Sequence, residues 1–152
     1  MIGIGDSAPA FSGVTQDGSR FDSAALRGRP FILYFYPKAN TSGCSIEARG
    51  FAQQYPALQR AGYAVVGASV DSVDDQQTFA TTCGVPFPLI ADKDKAVAKS
   101  YGVIGLLGMA KRVTFFVGAD GRVTDVVAGM LPGPHVKRAE ELASKAPPAP
   151  PP

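Results

Sequence analysis

The sequence predicts an α/β protein with a mixed central sheet flanked by helices and preceded by an N-terminal hairpin. Three observations lead there. Apolar, β-branched and aromatic runs at 31–36, 64–70 and 113–117 have the length and density of buried strands. A helical pattern joins the first two, which is the βαβ arrangement of a parallel pair. Asp17-Gly18 and Asp120-Gly121 mark tight turns near the two ends, and these join antiparallel strands. At 152 residues, 45% hydrophobic and 18% charged, the chain is expected to form one domain over 1–145 with a full core, followed by a disordered Pro-rich tail at 146–152.

The elements follow in order. The first turn joins strands at 11–15 and 20–21 into the hairpin. The strand at 31–36 stops at Pro37, which has no N–H for a ladder. A helix is predicted over 42–60, with Gly50 and Pro56 as weak points. After the strand at 64–70, Ser72 and Asp75 make a capping box for a helix over 73–82, and Gly84 is a natural C-cap. A short strand at 86–92, a helix at 93–101 and a glycine-rich apolar loop at 102–110 come next. Burial is the expectation for Ile104, Leu106, Leu107 and Met109, with a substrate mouth or an association surface as the alternative. The strand at 113–117 turns into one at 123–127, and an amphipathic helix covers 135–145. His135, the only histidine, is expected in the turn before that helix and without a catalytic role.

Chemistry is concentrated where the strand at 31–36 meets the helix at 42–60. Thr41, Ser42 and Gly43 are cap-competent residues, so Cys44 falls in the first helical turn. Unpaired N–H groups and the positive end of the helix dipole stabilise a thiolate there, and the thiolate is the nucleophile. Cys44, Ala48, Phe51, Tyr55 and Leu58 recur at steps of four and three, so the sulfur faces the body of the protein. Ligands of open α/β sheets bind beyond the carboxyl ends of strands, the edge where Cys44 lies. Cys83 closes the following helix, where the dipole disfavours a thiolate. Cys44 is therefore suited to attack and Cys83 to respond.

These residues carry a family resemblance. Pro37, Thr41 and Cys44 fit the Pro-x-x-x-Thr-x-x-Cys signature of peroxiredoxins, and the run 34–48 resembles the bacterioferritin-comigratory-protein/peroxiredoxin Q branch. Departures such as Ser42 and Ser45 remove no reacting group. The resemblance extends over 3–145 and is strongest at 26–51 and 84–121. It implies a thioredoxin-like fold and a thiol-dependent peroxidase that reduces hydrogen peroxide and organic hydroperoxides through a Cys44 sulfenic acid. It also implies roles for the neighbours. Arg112, in the run Arg-Val-Thr-Phe, becomes the active-site cation. Thr41 becomes the hydroxyl that bonds thiolate and peroxide, with a plain N-cap as the alternative. Pro37 becomes the shield of the sulfur, and Glu47 the carboxylate that orients Arg112. Resolution by Cys83 as an intramolecular disulfide, then reduction by thioredoxin or a similar dithiol, completes the expected cycle. Because a disulfide needs Cα atoms within about 7 Å, it would require local unwinding.

Other classes find little support. One His and two Cys 39 positions apart offer no metal-binding pair, and neither a metal nor a cofactor is expected. There is no Cys-x-x-Cys dithiol. Gly102, Gly105 and Gly108 lack the spacing of a nucleotide cradle, and Ser69 lacks a hydrolase elbow and a neighbouring base. A net charge of +2 does not point to nucleic acid or to a membrane surface. The start has no signal-peptide pattern, and no apolar run reaches the roughly 18 residues of a membrane span, so a cytoplasmic location is the expectation. A monomer is expected as well. Three rivals stay open: a one-Cys peroxidase served by an external thiol, a peroxide-sensing interaction protein, and a structural thioredoxin-like protein with an inert Cys44.

Overall fold

The computed structural model describes residues 1–145; the Pro-rich tail expected at 146–152 lies outside them. Strands β1 (Ser12–Val14) and β2 (Arg20–Asp22) form the N-terminal hairpin as a small sheet of their own. The central sheet contains β3 (Phe31–Phe35), β4 (Ala64–Ser69), β5 (Leu89–Ala91), β6 (Val113–Val117) and β7 (Val123–Ala128) in the order β5-β4-β3-β6-β7. β3, β4 and β5 run parallel, whereas β6 and β7 are antiparallel, so the sheet is mixed as expected. A bridge from Thr15 to Ile90 ties the hairpin to the β5 edge.

Period-two alternation along β3 divides the core. Phe31, Leu33 and Phe35 enter one cluster with Phe11, Tyr101 and Phe115. Ile32, Tyr34 and Tyr36 enter the other with Cys44, Phe51, Phe79 and Phe116. Helix α3 (Ala96–Tyr101) covers the first face, and α1 (Ser42–Arg60), α2 (Val73–Cys83) and α4 (Pro132–Lys145) cover the second. Both cysteines therefore lie on the same side of the sheet.

Several boundaries differ from expectation for physical reasons. α3 begins only at Ala96, because Lys95 sits at φ 64° and the Asp92 carboxylate accepts from the N–H groups of Val97 and Ala98. α4 begins three residues early at Pro132, since a missing N–H is harmless in a first turn. Helix α1 continues past Pro56 to Arg60. In the 102–110 loop, Ile104 and Met109 are half-buried, but Leu106 and Leu107 are 93% and 92% exposed, against the expected burial. An Ile104–Ala110 bridge closes the loop and leaves its tip outside. Among the described residues, no helix is long and apolar enough to cross a membrane.

β4 passes the Tyr34 ring closely at Gly67, where a Cβ would stand 2.9 Å from the ring and 2.7 Å from a Leu89 methyl. Tyr34 is itself stacked on Phe51 at 4.4 Å, so it has nowhere to move. Gly67→Ala should therefore lower stability by about 1–3 kcal/mol, measured by urea unfolding.

Candidate active site

The site begins with the short connection from β3 to α1. Pro37 leaves the strand half-buried. Asn40 adopts φ 63°, a left-handed conformation that Asn tolerates better than most residues. The β4–α2 connection and the first turn of α2 pin this loop, since Asp71 accepts from the Ala39 N–H at 2.8 Å and the Asp75 carbonyl accepts from the Asn40 amide. Thr41 occupies the N-cap of α1, but its hydroxyl donates to the Lys38 carbonyl at 2.7 Å and caps nothing. That proton is committed to the carbonyl, while the oxygen lone pairs remain. Cys44 is the third helical residue, as predicted, and is 1% exposed.

Arg112 arrives at the start of β6 and is itself buried. Its Nη2 donates to Cys44 Sγ at 3.4 Å, its Nη1 to Glu47 Oε1 at 2.7 Å, and its Nε to the Met130 carbonyl at 2.8 Å. Those bonds use three of the five guanidinium N–H groups and leave two for another oxygen. Gly43 makes the approach possible, because a Cβ there would lie 3.1 Å from Nη2. Burial alone would weaken the guanidinium's hold on its proton, but the Glu47 carboxylate and the Cys44 sulfur reverse that, so Arg112 stays charged.

Glu47 lies one turn beyond Cys44 and is fully buried. Burial pushes its carboxyl up to about 7, with Arg112 opposing the shift. Its Oε2 has no hydrogen-bond partner. His135 Nδ1 lies 3.7 Å from that oxygen. His135 is not in a turn before the last helix; it lies in the first turn of α4 and is completely buried. Burial lowers its proton affinity, and the charge of Arg112 adds to that, against the hydrogen bond to Gly129.

Of the six residues singled out in the sequence, the structure gathers Cys44, Glu47 and Arg112 into direct contact. Thr41 and Pro37 flank them on the same loop. Cys83 is the last residue of α2, buried with a free thiol in the same apolar cluster as Cys44. The sequence reading missed Gly43, the Met130 carbonyl and His135. A backbone carbonyl has no sequence signal, and a lone histidine has no spacing partner. Only the apolar rhythm of α4 could have placed His135 inward. This geometry can stabilise a thiolate beside a fixed cation that has two donors free.

The matching family model, described as the AhpC/TSA family, covers residues 4–126. The chain is 38% identical over 132 residues to a putative peroxiredoxin bcp of Coxiella burnetii, covering 82% of this chain and 87% of the relative. It is 35% identical over 129 residues to peroxiredoxin Bcp of Escherichia coli K12, covering 80% and 83%. Among solved structures, peroxidoxin BcpB from Mycobacterium tuberculosis superposes with a TM-score of 0.86 at 31% identity, over 95% of this chain and 97% of that one. The bacterioferritin comigratory protein of Xanthomonas campestris, described for its alkyl peroxide reduction activity, gives 0.81 at 27% identity over 90% and 92%.

The Glu47 carboxyl predicts a pH dependence of stability. An unfolded-chain glutamate ionises near the ordinary value of 4.5, whereas the native one ionises near 7. Between those values the native state holds a proton that the unfolded chain has released, so this group's contribution to stability falls as pH rises through the window. Urea unfolding across the window should show wild type losing stability relative to Glu47→Gln. Parallel curves would remove the claim.

Proposed function

The chain belongs to the AhpC/TSA family, in the company of the Bcp and peroxiredoxin Q proteins, and on that footing we propose that this thiol-dependent peroxidase works through Cys44, Arg112 and Glu47. The observation that carries the assignment is the single guanidinium bonded both to the sulfur and to a buried carboxyl. The thiolate attacks the terminal oxygen of a hydroperoxide. An S–O bond forms as the O–O bond breaks, the leaving oxygen takes a proton and departs as water or alcohol, and Cys44 becomes a sulfenic acid. The two remaining N–H groups of Arg112 suit the peroxide oxygens, where negative charge grows. Thr41 would join them by rotating its hydroxyl off the Lys38 carbonyl, and Pro37 would keep water from the sulfur.

Cys83 is the proposed resolving residue. Its thiol would attack the sulfenic sulfur, forming a disulfide and releasing water. Both thiols sit inside helices and apolar packing, so the step requires the end of α2, the start of α1, or both to unwind. An exposed bond from Arg49 to the Thr82 carbonyl would part in the process. Thioredoxin or a similar dithiol would then reduce the disulfide by exchange. The reading includes a monomer with residues 1–145 as its working unit in a reducing, cytoplasmic setting. Organic hydroperoxides are favoured by exposed Met130 and Leu131, which adjoin the carbonyl that holds Arg112. A one-Cys cycle with an external thiol is the second reading, and it is favoured by the packing of Cys83 at 7% exposure.

Thiol counting and intact mass after one equivalent of hydrogen peroxide decide between them. Rapid loss of both thiols with no added oxygen is the expected result. Loss of one thiol with gain of one oxygen would demote Cys83 to a packing role. Two surviving thiols would end the peroxidase assignment. Cys44→Ser should abolish peroxide consumption, and Arg112→Met should slow it roughly 100-fold or more, as loss of a transition-state donor does.

A further inference from the structure

One guanidinium faces two acidic groups in this site, and one of them is incompletely bonded. With Cys44 as thiolate and Glu47 ionised, Arg112 would leave a buried cluster with one negative charge in excess. Burying unpaired charge is unfavourable enough that proteins neutralise it with a proton instead. The position of that proton is marked by Glu47 Oε2, which is buried without a partner and lies 3.7 Å from His135 Nδ1.

The tautomer follows from the other ring atom. His135 Nε2 lies 2.9 Å from the Gly129 carbonyl, which can only accept, so Nε2 carries a hydrogen. In the neutral ring Nδ1 is then a lone pair, and it takes the Thr114 hydroxyl at 2.8 Å. Thr114 fills that one lone pair, so Nδ1, 3.7 Å from Glu47 Oε2, can hold the cluster's proton only by reversing the bond and donating to the Thr114 oxygen.

We infer that Glu47 and His135 share one proton behind Arg112, making His135 a positioning residue that keeps the cluster neutral while Cys44 is a thiolate. The inference rests on the proposed role of Cys44 and Arg112. With the proton present, Glu47 accepts from Arg112 without competing as a second full anion for its charge. When rising pH removes the proton, the carboxylate draws the guanidinium to itself at the expense of the sulfur. Burial raises the proton affinity of Glu47 and lowers that of His135, so the carboxyl competes for a proton that the imidazole would ordinarily hold.

Other titratable groups surround the couple, and from β3 comes Tyr34, whose buried hydroxyl has no hydrogen-bond partner and is held protonated by burial and by the nearby Tyr36, Glu47 and Cys44. From α1 come Cys44 and Glu47, and from the start of β6 comes Arg112. From β7 and α4, Asp125, Arg138 and Glu141 pair with one another at the surface. Arg49, Lys137 and Glu140 line the outer groove between α1 and α4 and are of mixed sign.

The chain has a single histidine, so nitrogen-15 NMR of labelled imidazole reads the couple directly. In reduced wild type, Nδ1 should titrate with a midpoint in the neutral range. Glu47→Gln should flatten that titration from about pH 5 to about pH 9. Cys44→Ser, which removes a nearby negative charge, should lower the midpoint by roughly half a unit or more. The peroxide rate constant of wild type should bend at the same midpoint. His135→Gln, which keeps a donor for Gly129, should lose that bend without a uniform loss at every pH. An Nδ1 signal that is constant in wild type, or that titrates identically in Glu47→Gln, overturns the shared proton. Peroxide consumption on the same samples separates the two readings. Active protein with a flat imidazole defeats the couple alone, and inactive protein with a Glu47-dependent titration defeats the peroxidase assignment alone.

Discussion

A buried guanidinium obliges the fold to surround it with acceptors, because an unpaired charge away from water is far more costly than any surface contact. Arg112 meets that demand with a sulfur on α1, a carboxyl one turn later, and a carbonyl from the β7–α4 connection. Helix α1 and the β7–α4 connection, distant in sequence, are thereby fixed to one planar group. Removing either Arg112 or Glu47 would leave its partner buried and unsatisfied, at about 3–5 kcal/mol. Stability and reactivity at this site therefore share the same bonds.

The two cysteines stand in opposite electrical surroundings although they share one apolar cluster. Cys44 has the open N–H groups of a first turn and a cation at 3.4 Å. Cys83 closes a helix whose Gly84 cap, at φ 64°, ends the backbone ladder immediately beyond it. Helix ends are the least costly places to unwind, since fewer intrahelical bonds hold them. In the proposed cycle, a resolving thiol at a helix terminus is released without dismantling the sheet that holds α1.

Much of this was legible in the sequence, for reasons that differ by residue. Cys44 could be placed because a strand, a proline and cap residues fix a helix start locally. The inward face of α1 followed from apolar spacing, and Glu47 could be tied to Arg112 only through family resemblance, since 65 positions separate them. Burial of Glu47 and His135 was invisible, because a polar residue on an apolar face is normally read as solvent-facing. The Leu106–Leu107 tip failed in the opposite sense. Apolar composition suggested burial, but the Ile104–Ala110 bridge turns those side chains outward. Local chemistry reads well from a chain, whereas long-range polar pairing must be seen.

Gly43 has a consequence of another kind. A Cβ there would press on Nη2 from 3.1 Å, so the seat of the guanidinium over the sulfur is set by an absent methyl group. Residue 43 carries no charge, no donor side chain and no reacting atom. It nonetheless acts as a spacer gauge for the site, and its volume sets how closely the positive charge approaches the sulfur while every ionisable group stays in place. Under the proposed function, tuning of this site has a steric axis separable from its electrostatic one.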